Sequence, residues 1–562
     1  MWRSALMIFL PVTIFAQEPV TPDSARLHQL FAQRWEYTMR EYPEFATSVG
    51  YPGQNARWTD NSLETIARRN RELNDPLNVL RTIDRAKLGP TDQLNYDLFR
   101  RNLTDAVEES RFPGELMAIT QLDGVQQDVP STIAKMPAGT VRNYEDILAR
   151  LRAVPVLVNQ TIVLLQRGLA TGITPPRITL RDVPSQAQDL VVDDPLTSPL
   201  LSAFSHFPAG VPAPDQQRLR AAALAAYRDS VAPAFRKLST FLRDRYVPGA
   251  RTTTDLTPEQ IHAIGLAEVK RIRAALDSVI AASGFKGSFA EFAQFLRTDP
   301  RFYWTTADDL IHASRELMKR IDPELTRLFG ALPRLPYGVS PIPSYSERSQ
   351  TTAYYQPGSP LAHRAGTYFV NTYNLPARPK WEMEALSLHE AVPGHHLQIA
   401  LAQELEGVPE FRRFGGYTAF VEGWGLYSES LGEELGLYTD PYSKFGQLTY
   451  EMWRAIRLVI DTGIHTMGWT REQAIDYFKA NAAKTEHDIT VEVDRYIVWP
   501  GQALAYKIGE LKIKELRAYA ARTLGDRFDV RAFHDQVLGA GAVPLDVLDA
   551  RIHAWVASVQ TH

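Results

Sequence analysis

Cysteine is absent from this 562-residue chain. That excludes disulfide cross-links and a lipid anchor attached through a cysteine sulfur, so stability has to come from core burial and bound metal. Charge of one sign is not in excess either: 61 Lys and Arg face 65 Asp and Glu. So even a balance gives no electrostatic case for nucleic acid or an acidic membrane surface as partner. No short-period repeat, low-complexity tract or G-x-S-x-G serine-nucleophile motif stands out. Hydrophobic residues at 44% and charged residues at 22% are ordinary for a soluble globular protein. A mass of 63.3 kDa is ample for a large core or two lobes. Oligomeric state leaves no readable trace.

The segment Met1–Gln17 carries one positive charge, Arg3, and then a short apolar run, too short for a spanning helix. It predicts a signal peptide over residues 1–16 with cleavage after Ala16, hence a periplasmic or secreted protein with no integral span in the mature chain. An uncleaved N-terminal anchor is the alternative.

Beyond it the pattern is mainly α. Apolar residues recur at three- and four-residue intervals over Leu27–Tyr42, Ser62–Asn74, Leu94–Glu109 and Asn143–Gly168. Thr257-Pro258-Glu259-Gln260 and Thr470-Arg471-Glu472-Gln473 read as capped starts of helices running to about Ala282 and Ala483. A loop-rich stretch, Leu332–Pro379, separates a mainly helical part, 17–331, from a helical part that bears the candidate site, 332–562. The two are expected to form one intertwined unit. Within the loop, Gly366–Thr372 alternates enough to read as a strand. Such a strand could offer its edge to an extended ligand, which makes Tyr368 and Asn371 candidate substrate contacts; a small structural hairpin is the plainer alternative.

The most informative run is His389-Glu390-Ala391-Val392-Pro393-Gly394-His395-His396. Many zinc hydrolases carry two histidine ligands and a glutamate base on one helix as H-E-x-x-H, where i, i+4 spacing puts both imidazoles on one face. Here the i+4 position is Pro393. In an undisturbed helix His396 returns to the face of His389 but lies about 10.5 Å along the axis, too far for one ion. A two-residue bulge at Pro393-Gly394 would instead bring His395 to the place that i+4 normally holds. His389 and His395 are therefore preferred as ligands, with His396 second. A helix that merely ends at Pro-Gly is the competing reading.

A catalytic zinc site needs a third protein ligand and an open position for water. Glu422 is the best candidate, because Phe420, Val421 and Trp424 make a poor setting for an unpaired carboxylate. Gly423 and Gly425 would let this helix approach another backbone closely. Glu429, seven residues on, suits a role hydrogen-bonding a ligand histidine.

The run at 389–396 followed by Glu422-Gly423-Trp424-Gly425-Leu426-Tyr427 resembles the bacterial "domain of unknown function 885" family. Gly366–Thr372, Arg457–His465, Pro500–Gly509, Phe533-His534-Asp535 and Tyr144–Leu151 extend the likeness over nearly the whole mature chain. The resemblance implies a multi-helical metallopeptidase-like fold similar to the gluzincin peptidases, such as thimet oligopeptidase and the Taq-type carboxypeptidases, with a substrate cleft. It implies one zinc ion held by His389, His395 and Glu422, with Glu390 as base. The Pro-Gly insertion departs from the gluzincin pattern.

On this reading Glu390 takes the proton of a metal-activated water as it attacks a carbonyl carbon. Tyr506 is the first candidate to stabilise the oxyanion, since Gln502 and Tyr506 share a helix face behind Pro500. His465 is the second, on a stripe with Arg457 and Asp461 that reads either as a cleft wall, with Asp461 tuning His465, or as a solvated face with helical salt bridges. Arg457, or Arg495 beside Tyr496, could bind a peptide's terminal carboxylate. Three functions compete: a zinc metallopeptidase of short peptides, a metal-dependent hydrolase of another small amide or ester, and a secreted binding protein whose catalytic apparatus has lapsed. Glu390 argues against the last, because a structural site needs no base.

Overall fold

The computed structural model describes residues 21–175, 177–249, 259–344, 347–348 and 350–561. The expected signal peptide and the Thr257-Pro258 cap lie outside the described residues. The chain divides into two compact units, Met1–Tyr37 with Glu64–Phe112, and Thr38–Leu63 with Pro113–His562. In the described part of the first, helices turn apolar faces to one another and Phe31 meets Phe99 edge-on at 4.9 Å. The predicted Ser62–Asn74 helix is shorter, Leu63–Glu72, and a second helix, Asn74–Leu80, follows it. The helix predicted from Leu94 begins earlier, at Pro90, where proline's missing N–H costs nothing in the first turn.

The second unit holds the candidate site, and the expected boundary at 331/332 falls inside it. Its N-terminal portion centres on a 31-residue helix, α1 (Val141–Thr171). A Thr140–Asn143 capping box starts this helix, and Gly172 in the left-handed region ends it. Among the described residues α1 alone is long and apolar enough to cross a membrane by length and composition. Yet Ile147, Leu151, Val154, Val158 and Leu165 along it are buried in a core shared with Phe204, Phe235 and Tyr246. Arg150, fully buried, gives its guanidinium protons to the carbonyls of Arg57 and Pro43. These are the features of a core helix.

The long helix α2 (Glu259–Ala282) leads toward a small sheet made of β1 (Tyr337–Pro341), β2 (Ala353–Gln356) and β3 (Gly366–Val370). The strand order is β1-β3-β2, with β3 parallel to β1 and antiparallel to β2. The predicted strand, which ends at Val370, is therefore the central one, and the edges belong to β1 and β2. Six helices complete the site region: α3 (Met383–Glu390), α4 (His395–Gln403), α5 (Thr418–Ser430), α6 (Pro441–Thr466), α7 (Glu486–Val498) and α8 (Ala505–Leu524). The helix predicted over 470–483 is present as Arg471–Asn481, and Thr470 and Gln473 form its capping box.

Two contacts fix these helices against one another. Helices α5 and α8 cross at Gly423 and Gly509, where a Cβ on Gly423 would sit 2.5 Å from the Gly509 Cα. Lys507 of α8 is fully buried and pairs with Glu268 of α2 at 3.0 Å, Glu451 of α6 at 2.8 Å and Glu510 at 2.6 Å. Removing one member of such a buried network typically costs about 3–5 kcal/mol, because the others are left as uncompensated charges.

Candidate metal centre

The predicted bulge is a break between two helices. Helix α3 ends at Glu390, Ala391 and Gly394 leave helical geometry, and α4 restarts at His395. The Ala391 carbonyl accepts the His396 N–H at 3.0 Å across the gap. Gly394 makes the fold-back possible, because a Cβ there would collide with the carbonyl oxygens of Leu388 and His389. The outcome for the imidazoles matches the purpose of i+4 spacing: the His389 and His395 rings lie 4.7 Å apart, nearly perpendicular at 83°.

Helix α5 brings the third group. One atom each from His389, His395 and Glu422 lies within 4.8 Å of the others. Glu422 Oε2 stands 3.6 Å from His389 Nε2 and 3.5 Å from His395 Nε2. Neither separation is a hydrogen bond, and Glu422 Oε2 is a buried oxygen without a hydrogen-bond partner. Ligand atoms bound tetrahedrally at roughly 2.1 Å from zinc sit about 3.4 Å apart, so the spacing fits a shared cation.

The supporting contacts have the same logic. His389 Nδ1 is 2.9 Å from Glu429 Oε1, an arrangement in which Nδ1–H donates and Nε2 presents its lone pair to the centre. Gly425 packs on the His389 ring, where a Cβ would stand 2.8 Å from Cε1 and 2.9 Å from Nε2. Burial opposes a charged imidazole, yet Glu422 and Glu429 push the His389 pKa up to about 9. Burial likewise opposes ionisation of Glu422, but the two imidazoles hold its carboxyl well below the ordinary value. The two shifts are two sides of one attraction between imidazoles and carboxylates.

A cavity of about 300 Å³ opens from this group. Glu390 lines it beside His389, and so do Tyr506, Arg457 and Arg495. The Tyr506 ring stacks on that of His389 at 6.1 Å and 20°. Its hydroxyl accepts N–H from Arg495 at 2.9 Å and, more weakly, from Gln502 at 3.5 Å, so its own proton remains to be donated. Gln502 also accepts from Arg495 at 2.8 Å, which places it as a brace for that arginine.

Five sequence candidates lie elsewhere. His396 points away from the centre: Nδ1 bonds the Tyr355 hydroxyl at 2.9 Å, its ring packs on Tyr337 at 4.5 Å, and burial pushes its pKa down to about 4. His465 is buried off the cavity, with Nε2 at 2.9 Å from the Tyr496 carbonyl. Tyr368 is 1% exposed on the central strand, its hydroxyl 3.3 Å from Ser387 Oγ. Asn371 is fully buried and donates to the carbonyls of Glu347, Gln350 and Thr351, so it shapes the loop that enters the cavity without facing it. Asp461 also stays outside, accepting the Gly501 N–H at 3.1 Å. Burial pushes its pKa up to about 6, against the opposing charge of His465.

Sequence reasoning missed Arg454, Trp453, Tyr450, Glu492 and Trp499, all of which line the cavity, as do Ala353, Tyr354 and Tyr355 of β2. Arg454 carried a signal: it lies three residues before Arg457 on α6, and so on nearly the same face.

Fold and site together define a mainly helical protein with a His-His-Glu group on the wall of a cavity. The chain belongs to the family described as "Bacterial protein of unknown function (DUF885)", which matches residues 43–552. Two solved structures, each of a "putative lipoprotein", are similar. That from Colwellia psychrerythraea has a TM-score of 0.87 at 27% identity and covers 96% of this chain and 100% of its own. That from Shewanella oneidensis, described as of unknown function, has a TM-score of 0.68 at 17% identity, covering 93% and 99%. No curated protein matches the chain.

Proposed function

We propose that this protein is a zinc-dependent, gluzincin-like hydrolase of short peptides that works outside the cytoplasm. The observation that carries the reading is the buried, unpartnered Glu422 Oε2 facing two imidazole nitrogens at 3.5 and 3.6 Å. A bound zinc ion would supply Lewis acidity and lower the pKa of water toward roughly 7. His389, His395 and Glu422 would hold it, and Glu429 keeps the His389 ring in the correct tautomer.

The chain's own groups then divide the work. The Glu390 carboxylate accepts a proton from the attacking water and returns it to the leaving nitrogen. Tyr506 donates its hydroxyl proton as a hydrogen bond to the oxyanion, with Arg495 fixing its position. The open edge of β2 lets an extended peptide add as a further strand, so that main-chain hydrogen bonds align the scissile carbonyl. Export is supported by the N-terminal apolar segment and by the lipoprotein descriptions of both similar structures. With no cysteine, this chain has no thiol to carry such a lipid.

The decisive experiment is metal analysis and peptide turnover of the wild type beside Glu390→Gln. The variant should keep its zinc and lose about 10²–10⁴ in rate. Unchanged turnover would remove Glu390 from the mechanism, and a metal-free wild type would remove the mechanism itself.

A further inference from the structure

The cavity wall contains a second unsatisfied group of charges. Arg454 and Arg457 on α6 and Arg495 on α7 all line it, and each is at least nine-tenths buried. Each keeps one buried nitrogen with no hydrogen-bond partner: Nε of Arg454, Nη1 of Arg457 and Nε of Arg495. The carboxylates within reach are too few. Glu492 serves both Arg457, at 2.8 Å, and Arg495, at 3.4 Å. Glu429 meets Arg454 at 3.3 Å through Oε1, the oxygen that also meets His389 Nδ1. Buried guanidinium protons are costly to leave unpaired, and an anion from outside would satisfy those that Glu492 and Glu429 do not reach on this part of the wall.

We infer that Arg454, Arg457 and Arg495 form a carboxylate-binding subsite, so that the substrate is a short peptide carrying a carboxylate within a few residues of the scissile bond. This rests on the hydrolase reading for the position of that bond. The reach follows from Tyr506, whose ring stacks at 6.1 Å on His389 and lies 4.3 Å from the Arg457 guanidinium and 5.8 Å from those of Arg454 and Arg495. The separation from His389 is thus at most about three to four residues of extended chain at roughly 3.5 Å each. Planar guanidinium forks match a carboxylate in charge and shape, which a neutral amide does not. Two sources share this chemistry, the peptide's C-terminal carboxylate and an acidic side chain near the cleaved bond.

Binding to the zinc-loaded Glu390→Gln variant separates this subsite from turnover. The probes are trialanine as the free acid, trialanine amide, and the amide of Ala-Ala-Glu, each measured by calorimetry. The free acid should bind at least about tenfold more tightly than trialanine amide, in keeping with a charge-assisted pair. Arg457→Lys, which keeps the charge but loses the fork, should erase most of that difference while retaining zinc. Tight binding by Ala-Ala-Glu amide as well would assign the cluster to acidic side chains also; weak binding would restrict it to the chain terminus. Equal affinity for trialanine and its amide, or no binding of any probe, overturns the inference. Clear discrimination in the binding assay with no cleavage of these peptides by the wild type would instead overturn the peptidase reading and leave the subsite standing.

Discussion

Around the candidate metal-ligand group the backbone is interrupted and small, whereas the arginine wall of the same cavity hangs on helices that run without a break. His389 and His395 meet because α3 stops, Gly394 lets the chain fold back, and Gly425 leaves room for an imidazole. Arg454, Arg457 and Arg495 come from the 26-residue α6 and the 13-residue α7, and their positions follow from how whole helices pack. One wall is specified by local irregularity, the other by long-range assembly. The first should respond sharply to single-atom changes, the second to the loss of charge partners.

The largest effect should come from the ligand histidines. His395→Ala should reduce zinc from one ion per chain to near none and abolish turnover, while His396→Ala should leave zinc content unchanged; elemental analysis of the pair decides which imidazole binds. Equal zinc in wild type and His395→Ala would break the account of the interrupted wall. Next is Gly425→Ala, whose methyl would press on His389 without touching its chemistry. A displaced imidazole should weaken zinc affinity by about 10–100-fold in a chelator competition. Retained affinity would show that the ring has room to retreat.

The smallest effect belongs to Asp461, behind the arginine wall. Its pKa is pushed up to about 6 by burial, so between about pH 4 and 6 the folded state holds a proton that the unfolded state has released. Stability contributed by this group therefore falls as pH rises through that window and stays low above it. Asp461→Asn keeps an acceptor for the Gly501 N–H and should flatten this slope, gaining on the order of 1–3 kcal/mol at neutral pH relative to wild type. Parallel unfolding curves for both proteins from pH 4 to 7 would contradict it.

What could be read from sequence follows the same division. His389, Glu390, His395 and Glu422 were legible because helix spacing and a Pro-Gly interruption are local facts, and Tyr506 followed from the i, i+4 relation to Gln502. The choice between His395 and His396 needed the actual path of the chain. His465 misled because repeats of four residues define a helix face without saying what that face meets. Helix α6 is buried on nearly every side from Ser443 to His465, so its polar stripe has no solvent side to be excluded. Eight residues also carry His465 about 12 Å along the axis from Arg457. Tyr368 lies on the predicted strand, which ends at Val370 and leaves Asn371 just beyond it; a four-residue partner, Ala353–Gln356, was too short to show that this strand would be central.

The meeting of Gly423 with Gly509 has one further consequence. Glu422 is the neighbour of one glycine and Tyr506 lies three residues before the other, so the proposed ligand and the proposed donor hang from a single point where main chain touches main chain. No rotamer can loosen that spacing. Any larger residue there would act as a shim, parting the carboxylate from the phenol while leaving each group chemically whole.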